Sequence, residues 1–196
     1  MSTHTKNPLI ERAECTAEAA YALLRDTRLR ERWEARGAEV HLVGSLATDL
    51  LLKHLDIDLH VYTPTLNPAD GFAIATALVP RRLEFRDLSD TSERCLEWHL
   101  WFRDADEREW QVDVIQMSHD SSYKGYFEHR VERICSVLTP VTRRAILRIK
   151  DDIPPGTHIP GILIYMAVLR DGIRTPKAFR AWLCDNPLDG ILDWCP

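Results

Sequence analysis

The chain has 196 residues, 45% of them hydrophobic and 28% charged, so it is long enough for one domain with a well-buried core. Its formal net charge of −5 argues against a protein that lies along a nucleic-acid strand, because such proteins usually carry a basic surplus or stripe. The first residues do not have the pattern of a signal peptide, and no apolar run reaches the length of a membrane span. A cytoplasmic protein is therefore expected.

The first half of the sequence predicts alternating helices and strands. In chain order these are a helix over 16–36 ended by Gly37, a strand over 39–43, a short helix over 46–54, a strand over 56–63, a helix from Asn67-Pro68 to about 79, and strands over 81–87, 93–103 and 109–117. The last two strands are joined by the polar turn 104–107 and should form a hairpin.

The second half predicts helices alone, over 123–138, 140–151, 162–169 and 176–183, with proline and glycine between them. We therefore expect an α/β core over residues 1–120, with a mixed sheet flanked by helices, and a C-terminal helical region over 121–196 packed on it. Trp182 and Trp194 are expected to pack among the C-terminal helices.

The five cysteines are odd in number and far apart, with no C-x-x-C pair among them. This pattern indicates reduced thiols rather than a disulfide framework or a zinc site.

Two acids share one face of the strand over 56–63. Asp56 and Asp58 are two residues apart, so they project together, while Ile57 and Leu59 point to the opposite side. Two neighbouring carboxylates on a half-buried strand repel one another unless something neutralises them, and a divalent cation is the usual remedy. Oxygen ligands without a nearby thiolate favour Mg²⁺ or Mn²⁺.

A third acid, Asp113, lies between Val112 and Val114 in the strand over 109–117. If this strand is next to the strand over 56–63, three carboxylates converge, and two bound metals can hold a phosphoryl group in line. The Gly44-Ser45 pair follows a strand and opens a short helix, where backbone N–H groups and a hydroxyl suit a phosphate. Neither the P-loop nor the dinucleotide-binding motif is present.

The order strand, Gly44-Ser45, short helix, and strand with Asp56-Ile57-Asp58, followed by a later strand with Asp113, resembles the nucleotidyltransferase superfamily of DNA polymerase beta. The small size is similar to minimal and antibiotic-modifying members. The resemblance implies that the three acids are catalytic and hold Mg²⁺ or Mn²⁺, that Gly44 and Ser45 hold the triphosphate, and that Asp113 helps to activate the acceptor hydroxyl. The implied reaction moves a nucleoside monophosphate from an NTP such as ATP and releases pyrophosphate.

Two lysines are candidates for nucleotide binding. Lys124 follows the third acid strand, where it fits a contact with the β- and γ-phosphates and equally an ordinary helix start after Ser121. Lys150 is the one member of a basic helix segment, with Arg143, Arg144 and Arg148, that merits a test; the rest fits a solvated face.

Other polar residues near the acids fit a structural role. His60 shares the face of the acids, yet a polar residue at the solvated end of the strand is favoured over a ligand, and His54 is undecided. His99 is expected to be a half-exposed strand residue. Tyr165 is expected to be in the core, with base stacking as the less favoured alternative.

The predicted activity is metal-dependent nucleotidyl transfer to an oxygen of a small molecule or protein, because the charge disfavours a long nucleic-acid acceptor. The alternative is a nucleotidyltransferase-fold protein that acts by binding, either as an antitoxin-like partner of a helical toxin or as a nucleotide sensor. A protein partner or a homodimer is compatible with both, and the preferred nucleotide is left open.

Overall fold

The computed structural model describes residues 7–186 and 194–196 and shows a five-stranded mixed sheet flanked by helices. The strands are β1 (Glu39–Val43), β2 (Asp56–Thr63), β3 (Arg82–Asp87), β4 (Cys95–Arg103) and β5 (Glu109–Ser118), in the spatial order β1-β2-β5-β4-β3. Strands β2 and β5 are parallel, and the other neighbouring pairs are antiparallel. The predicted hairpin is therefore present as β4 and β5.

The helices are α1 (Pro8–Thr27), α2 (Leu29–Glu34), α3 (Gly44–Ala47), α4 (Pro68–Leu78), α5 (Tyr126–Val137), α6 (Pro140–Asp152), α7 (Gly161–Leu169) and α8 (Pro176–Asp185). All four predicted C-terminal helices are present, within three residues of the expected bounds. None of the helices in the described residues combines the length and apolar character that crossing a bilayer requires.

The prediction of one helix over 16–36 was wrong. Helix α1 begins at Pro8, because the Asn7 side chain accepts a hydrogen bond from Leu9 N–H at 3.0 Å, the same Asn-Pro start that α4 uses. The helix then breaks at Arg28, whose φ of 48° is left-handed, before α2 begins. Trp33 of α2 is nevertheless buried against the sheet.

The predicted helix over 46–54 is also shorter than expected, since only α3 is helical. Asp49 has a φ of 59°, which stops the helix, and the chain continues to β2 as a turn and bends. The three leucines expected to point inward, Leu46, Leu50 and Leu51, are buried all the same.

Two main groups of buried residues hold the chain together. The larger lies between the sheet and helices α1, α2 and α4, and it includes Ile57, Trp98 and Val114. The second lies among α5 to α8, and Leu50 from the sheet half belongs to it. Trp182 and Trp194 pack against this second group, as predicted. The boundary at residue 120 stays a prediction, and residues 1–6 and 187–193 of the two predicted regions lie outside the described residues.

All five cysteines lie in the described parts of the chain, and each is a free thiol, as the spacing predicted.

Candidate active site

The parallel pairing of β2 with β5 brings the three predicted acids together. Asp58 is the register partner of Asp113, and Asp56 is the partner of Gln111. The intervening apolar residues, such as Ile57 and Val112, are buried on the opposite face of the sheet. Since neighbouring strands lie about 4.8 Å apart, the acids form one patch on the sheet.

The turn from β1 into α3 lies directly against this patch. Gly44 has a φ of +68°, and a Cβ at that position would come within 1.8 Å of the Asp58 Oδ2 atom. Only glycine fits both the left-handed backbone and the space that the carboxylate takes. Gly44 is therefore packed directly against the Asp58 carboxylate.

The acids are held close together with little positive charge to balance them. Burial, followed by the charges of Asp56 and Asp113, raises the pKa of Asp58 to about 7. Burial also raises the pKa of Asp56, although Lys150 and His54 partly oppose this. Both directions show that the nearby cationic groups do not offset the burial of these carboxylates.

The three acids offer the oxygen donors that suit a divalent cation. Asp56 Oδ1 is buried and has no hydrogen-bond partner among the described residues, although such an oxygen normally has one. Carboxylate oxygens are the ligands that Mg²⁺ and Mn²⁺ prefer. Asp56, Asp58 and Asp113 are therefore the residues that would hold the metal.

A polar network connects Ser45 with the helical region. Lys150 Nζ, from α6, donates hydrogen bonds to Ser45 Oγ at 2.8 Å, to the Leu50 carbonyl at 2.8 Å and to the Tyr165 hydroxyl at 3.1 Å. The Tyr165 hydroxyl, from α7, is also 3.0 Å from Ser45 Oγ. An ammonium group and two hydroxyls thus meet beside the acids, which is chemistry suited to phosphate oxygens.

A cleft of about 380 Å³ opens over Asp56, Asp113 and the Ser45–Lys150 part of this network, whereas Asp58 does not line it. Its walls include Ser45, Lys150, His54, His158, Trp101, Gln111 and Ile159, together with Asp56 and Asp113. The lining combines charged and apolar side chains, as in sites that bind small molecules.

Lys124 is not brought to this cleft. Its Nζ is 3.1 Å from Glu39 Oε1 and 3.0 Å from His119 Nδ1, and it lies 5.5 Å from the ring centre of Tyr62. Tyr62 is six residues beyond Asp56 along β2, or about 20 Å in an extended strand. Lys124 therefore belongs to the opposite end of the strand.

Arg144 and Arg148 of α6 lie on the solvated face that the sequence favoured, whereas only 14% of the Arg143 side chain is exposed. Arg143 forms an ion pair with Asp49 at 2.7 Å, whereas Arg144 and Arg148 are exposed and do not line the cleft. Of these four basic residues, only Lys150 lines the cleft beside Asp56 and Asp113.

The sequence did not predict the role of His99. Its Nδ1 atom is 2.6 Å from Asp113 Oδ1, and only 14% of its side chain is exposed. The hairpin register could have predicted this contact. If Arg103, the last residue of one predicted strand, pairs with Glu109, the first of the next, then His99 lies opposite Asp113.

Two further expectations change. His60 is buried, with its ring edge-on to Phe127 and its Nδ1 atom 3.7 Å from Glu128 Oε1, so the solvated strand end was wrong. Tyr165 is buried as expected, but its hydroxyl joins the Ser45 network. His54, which was undecided, lines the cleft.

Comparisons with known proteins agree with this geometry. The sequence model described as a nucleotidyltransferase domain matches residues 26–131, which is more than half of the chain. No curated protein matches the chain significantly in sequence.

Among solved structures, the Cid1 poly(U) polymerase with MgGTP bound gives a TM-score of 0.57 at 18% identity, over 91% of this chain and 58% of that one. A Cid1 mutant with MgATP bound gives 0.55 at 19% identity, over 79% and 49% of the two chains. The polymerase core of TRAMP, an RNA surveillance complex, gives 0.52 at 17% identity, over 86% and 53%. These likenesses confirm the predicted fold class, and the chain spans 49–58% of the length of these proteins.

Proposed function

The chain belongs to the nucleotidyltransferase domain family, and we propose that it transfers a nucleoside monophosphate from a nucleoside triphosphate to an acceptor hydroxyl. The family predicted from the sequence is confirmed by the domain match, and this membership supports the predicted enzyme class. The observation that carries the proposal is the meeting of Asp56, Asp58 and Asp113 beside the hydrogen-bonded pair Ser45 and Lys150.

Each part of the site has a role in this reaction. Asp56, Asp58 and Asp113 would hold Mg²⁺ or Mn²⁺, which when bound would neutralise charge on the phosphates. The Ser45 hydroxyl and the Lys150 ammonium hold the phosphate oxygens, with Lys150 exchanging one of its present hydrogen bonds for one to the nucleotide. The closeness of Gly44 to Asp58 keeps the phosphate-binding turn beside the acids.

The chemical step is an in-line displacement at the α-phosphorus. Asp113 accepts the proton of the acceptor hydroxyl as that oxygen forms a bond to phosphorus. The bond between the α-phosphorus and its bridging oxygen breaks, and pyrophosphate leaves with the electron pair. Ser45 and Lys150 hold the leaving pyrophosphate, so their hydrogen bonds strengthen as its charge grows.

The proposed acceptor is an oxygen of a small molecule or an exposed protein hydroxyl. A cleft of about 380 Å³ that is lined by both acids and bases, on a chain of net charge −5, supports a compact acceptor rather than a long nucleic-acid strand. Transfer to RNA, which would resemble the activity of the Cid1 polymerase, is an outcome of the test below. A cytoplasmic location stays a prediction from the sequence.

The first experiment is thermal melting with Mg²⁺ alone and with Mg²⁺ plus each of the four ribonucleoside triphosphates. A nucleotide at about 100 times its dissociation constant adds about 2.7 kcal/mol to the free energy of unfolding. For a chain of this length that is a rise of roughly 5–10 °C in melting temperature. We expect a rise with at least one nucleotide, and its loss in the Asp56→Asn/Asp58→Asn double variant.

The matched control is Asp106→Asn/Glu107→Gln, which removes two exposed acids from the β4–β5 turn, where 77% and 72% of the side chains are exposed. This control should keep the full nucleotide response. Labelled α-phosphate transfer, with protein, metabolite and RNA fractions as acceptors, then identifies the acceptor class. A native protein that responds to no nucleotide would overturn the proposal and favour the binding-protein alternative.

A further inference from the structure

Asp113 is held by more side-chain donors than the other two acids of the site. His99 Nδ1 lies 2.6 Å from Asp113 Oδ1, and Gln111 Nε2 donates to both carboxylate oxygens, at 2.8 and 3.1 Å. In contrast, Asp56 Oδ1 has no partner among the described residues. The carboxylate of Asp113 is therefore fixed before any ligand arrives.

The chemistry of this contact defines the state of the histidine ring. A carboxylate only accepts hydrogen bonds, so the Nδ1 atom of His99 carries the proton and donates it to Asp113. On the far side of the ring, the Nε2 atom is buried, has no hydrogen-bond partner among the described residues and lies 3.5 Å from Glu97 Oε2. Glu97 is approached in turn by Arg86 at 3.5 Å.

The contact matters because an aspartate side chain is not fixed by its strand. The terminal torsion of aspartate is broad, so the direction of the two oxygens is set by hydrogen bonds rather than by the backbone. Carboxylates that bind metals are commonly oriented by such outer partners.

We propose that His99 is a positioning residue, assisted by Gln111, that orients the Asp113 carboxylate for cation binding. This inference rests on the proposed function, since it concerns the same metal site. Asp113 Oδ1 takes the stronger hydrogen bonds, from His99 and Gln111, and Oδ2, with one longer contact, keeps lone pairs for a cation. His99 itself is not a ligand in this arrangement.

The test is Mn²⁺ binding without nucleotide, measured from the electron paramagnetic resonance signal of the free ion. His99→Phe keeps an aromatic ring but loses the donor, and it should weaken Mn²⁺ binding by about 10–100-fold. His99→Asn places an amide N–H near the position of Nδ1 and should restore binding to within about threefold of the native protein. Both are compared with Asp58→Asn, which should bind least.

The control variant is Glu84→Gln. Glu84 is the partner of His99 on β3, with 49% of its side chain exposed, and its ion-pair partner is Arg82 rather than Asp113. It should bind Mn²⁺ as the native protein does. If His99→Phe does not fold, His99→Gln replaces it, because its amide reaches the position of Nε2 and not of Nδ1.

The outcomes separate the two proposals. Suppose that the native protein binds Mn²⁺ and Asp58→Asn does not. The role of His99 is then overturned, and the metal site is kept, if His99→Phe binds as tightly as the native protein. The same conclusion follows if His99→Gln binds as tightly as His99→Asn. If the native protein binds no Mn²⁺, the metal site of the proposed function is overturned, and the role of His99 with it.

Discussion

The pKa values of buried carboxyl groups shift in opposite directions at the two ends of strand β2. At the start, burial and mutual repulsion raise the pKa of Asp58 to about 7, and burial raises that of Asp56. At the far end, Glu128 is also partly buried, which alone would raise its pKa, yet its neighbours His60 and Tyr62 hold that pKa below its usual value.

This difference in pKa direction distinguishes the proposed ligand site at the start of β2 from a cluster at its far end that stabilises the fold. The Tyr62 hydroxyl donates to Glu128 Oε1 at 2.9 Å and accepts from the Gly125 N–H, so the far-end cluster joins β2 to the start of α5. Asp56 and Asp58 are less fully compensated, and in the proposed function a bound cation would offset their charge. The raised pKa values of Asp56 and Asp58 support a functional site at the start of β2, whereas the lowered pKa of Glu128 reflects the hydrogen bonds of its neighbours.

The largest effect should come from Asp58→Asn, which removes a proposed metal ligand and a buried charge. Nucleotidyl transfer should fall by about 1,000-fold or more, equivalent to roughly 4 kcal/mol of activation free energy. The metal-free protein should become more stable by about 1 kcal/mol, which raises the melting temperature by about 2–4 °C. Transfer assays and melting curves, with Asp106→Asn as the exposed control, measure both; a fully active variant would contradict the metal site.

The next effect is expected at Gly44. Alanine there meets both a left-handed backbone and the Asp58 carboxylate, whereas Gly37→Ala, at a φ of +77° with nothing within 4 Å of the added carbon, meets the backbone alone. Both should lose about 1 kcal/mol to the backbone conformation.

Gly44→Ala should lose at least another 1–2 kcal/mol of unfolding free energy, as expected for overpacking, and most of its nucleotide binding. Urea denaturation and nucleotide titration of the two alanine variants make the comparison. Equal losses in both variants would show that the contact with Asp58 does not matter.

Two lysines test the contrast between the strand ends directly. Lys150→Ala should weaken nucleotide binding by about 10–100-fold, the value of a hydrogen bond to a charged group. Lys124→Ala should change binding by less than about twofold, because Lys124 contacts Glu39 and His119 and lies at the far end. Calorimetric titration of the responding nucleotide decides this, and a larger effect at Lys124 would place the phosphates elsewhere.

The smallest effect should come from Tyr62→Phe. The change removes the hydroxyl that donates to Glu128, so the free energy of unfolding should fall by about 1–2 kcal/mol. Transfer activity should stay unchanged under conditions where the protein is folded. Melting curves and initial rates test the two statements together, and a loss of activity without a loss of stability would connect the far end to the reaction.

Much of the fold could be predicted because the strands alternate acids or other polar residues with buried apolar residues. Asp56-Ile57-Asp58-Leu59 and Val112-Asp113-Val114 show this period directly, and the chain order of the motifs indicated the family. The prediction of a helix over 46–54 was wrong because it relied on the helical spacing of three leucines. The left-handed backbone of Asp49 ends the helix before that spacing is completed.

The position of Lys124 could not be read from its distance along the chain. In parallel strands, the chain leaves β5 at the end where β2 also finishes, so residues after Ser118 start out far from Asp56. Lys150 and Tyr165 reach the site through the packing of α6 and α7, which no local pattern specifies. His99 was within reach of the sequence, since it required only the hairpin register.

The contacts of Ser45 have a consequence for anyone who divides or fuses this chain. A fragment that stops after the sheet would contain every acid of the site, yet it would lack Lys150 and Tyr165, the two groups that hold the serine hydroxyl. Such a fragment would keep the proposed cation ligands but lose part of the proposed phosphate-binding network. Truncations and circular permutations should therefore keep α6 and α7 intact, and a bound nucleotide would act as a cross-link between the two halves of the polypeptide.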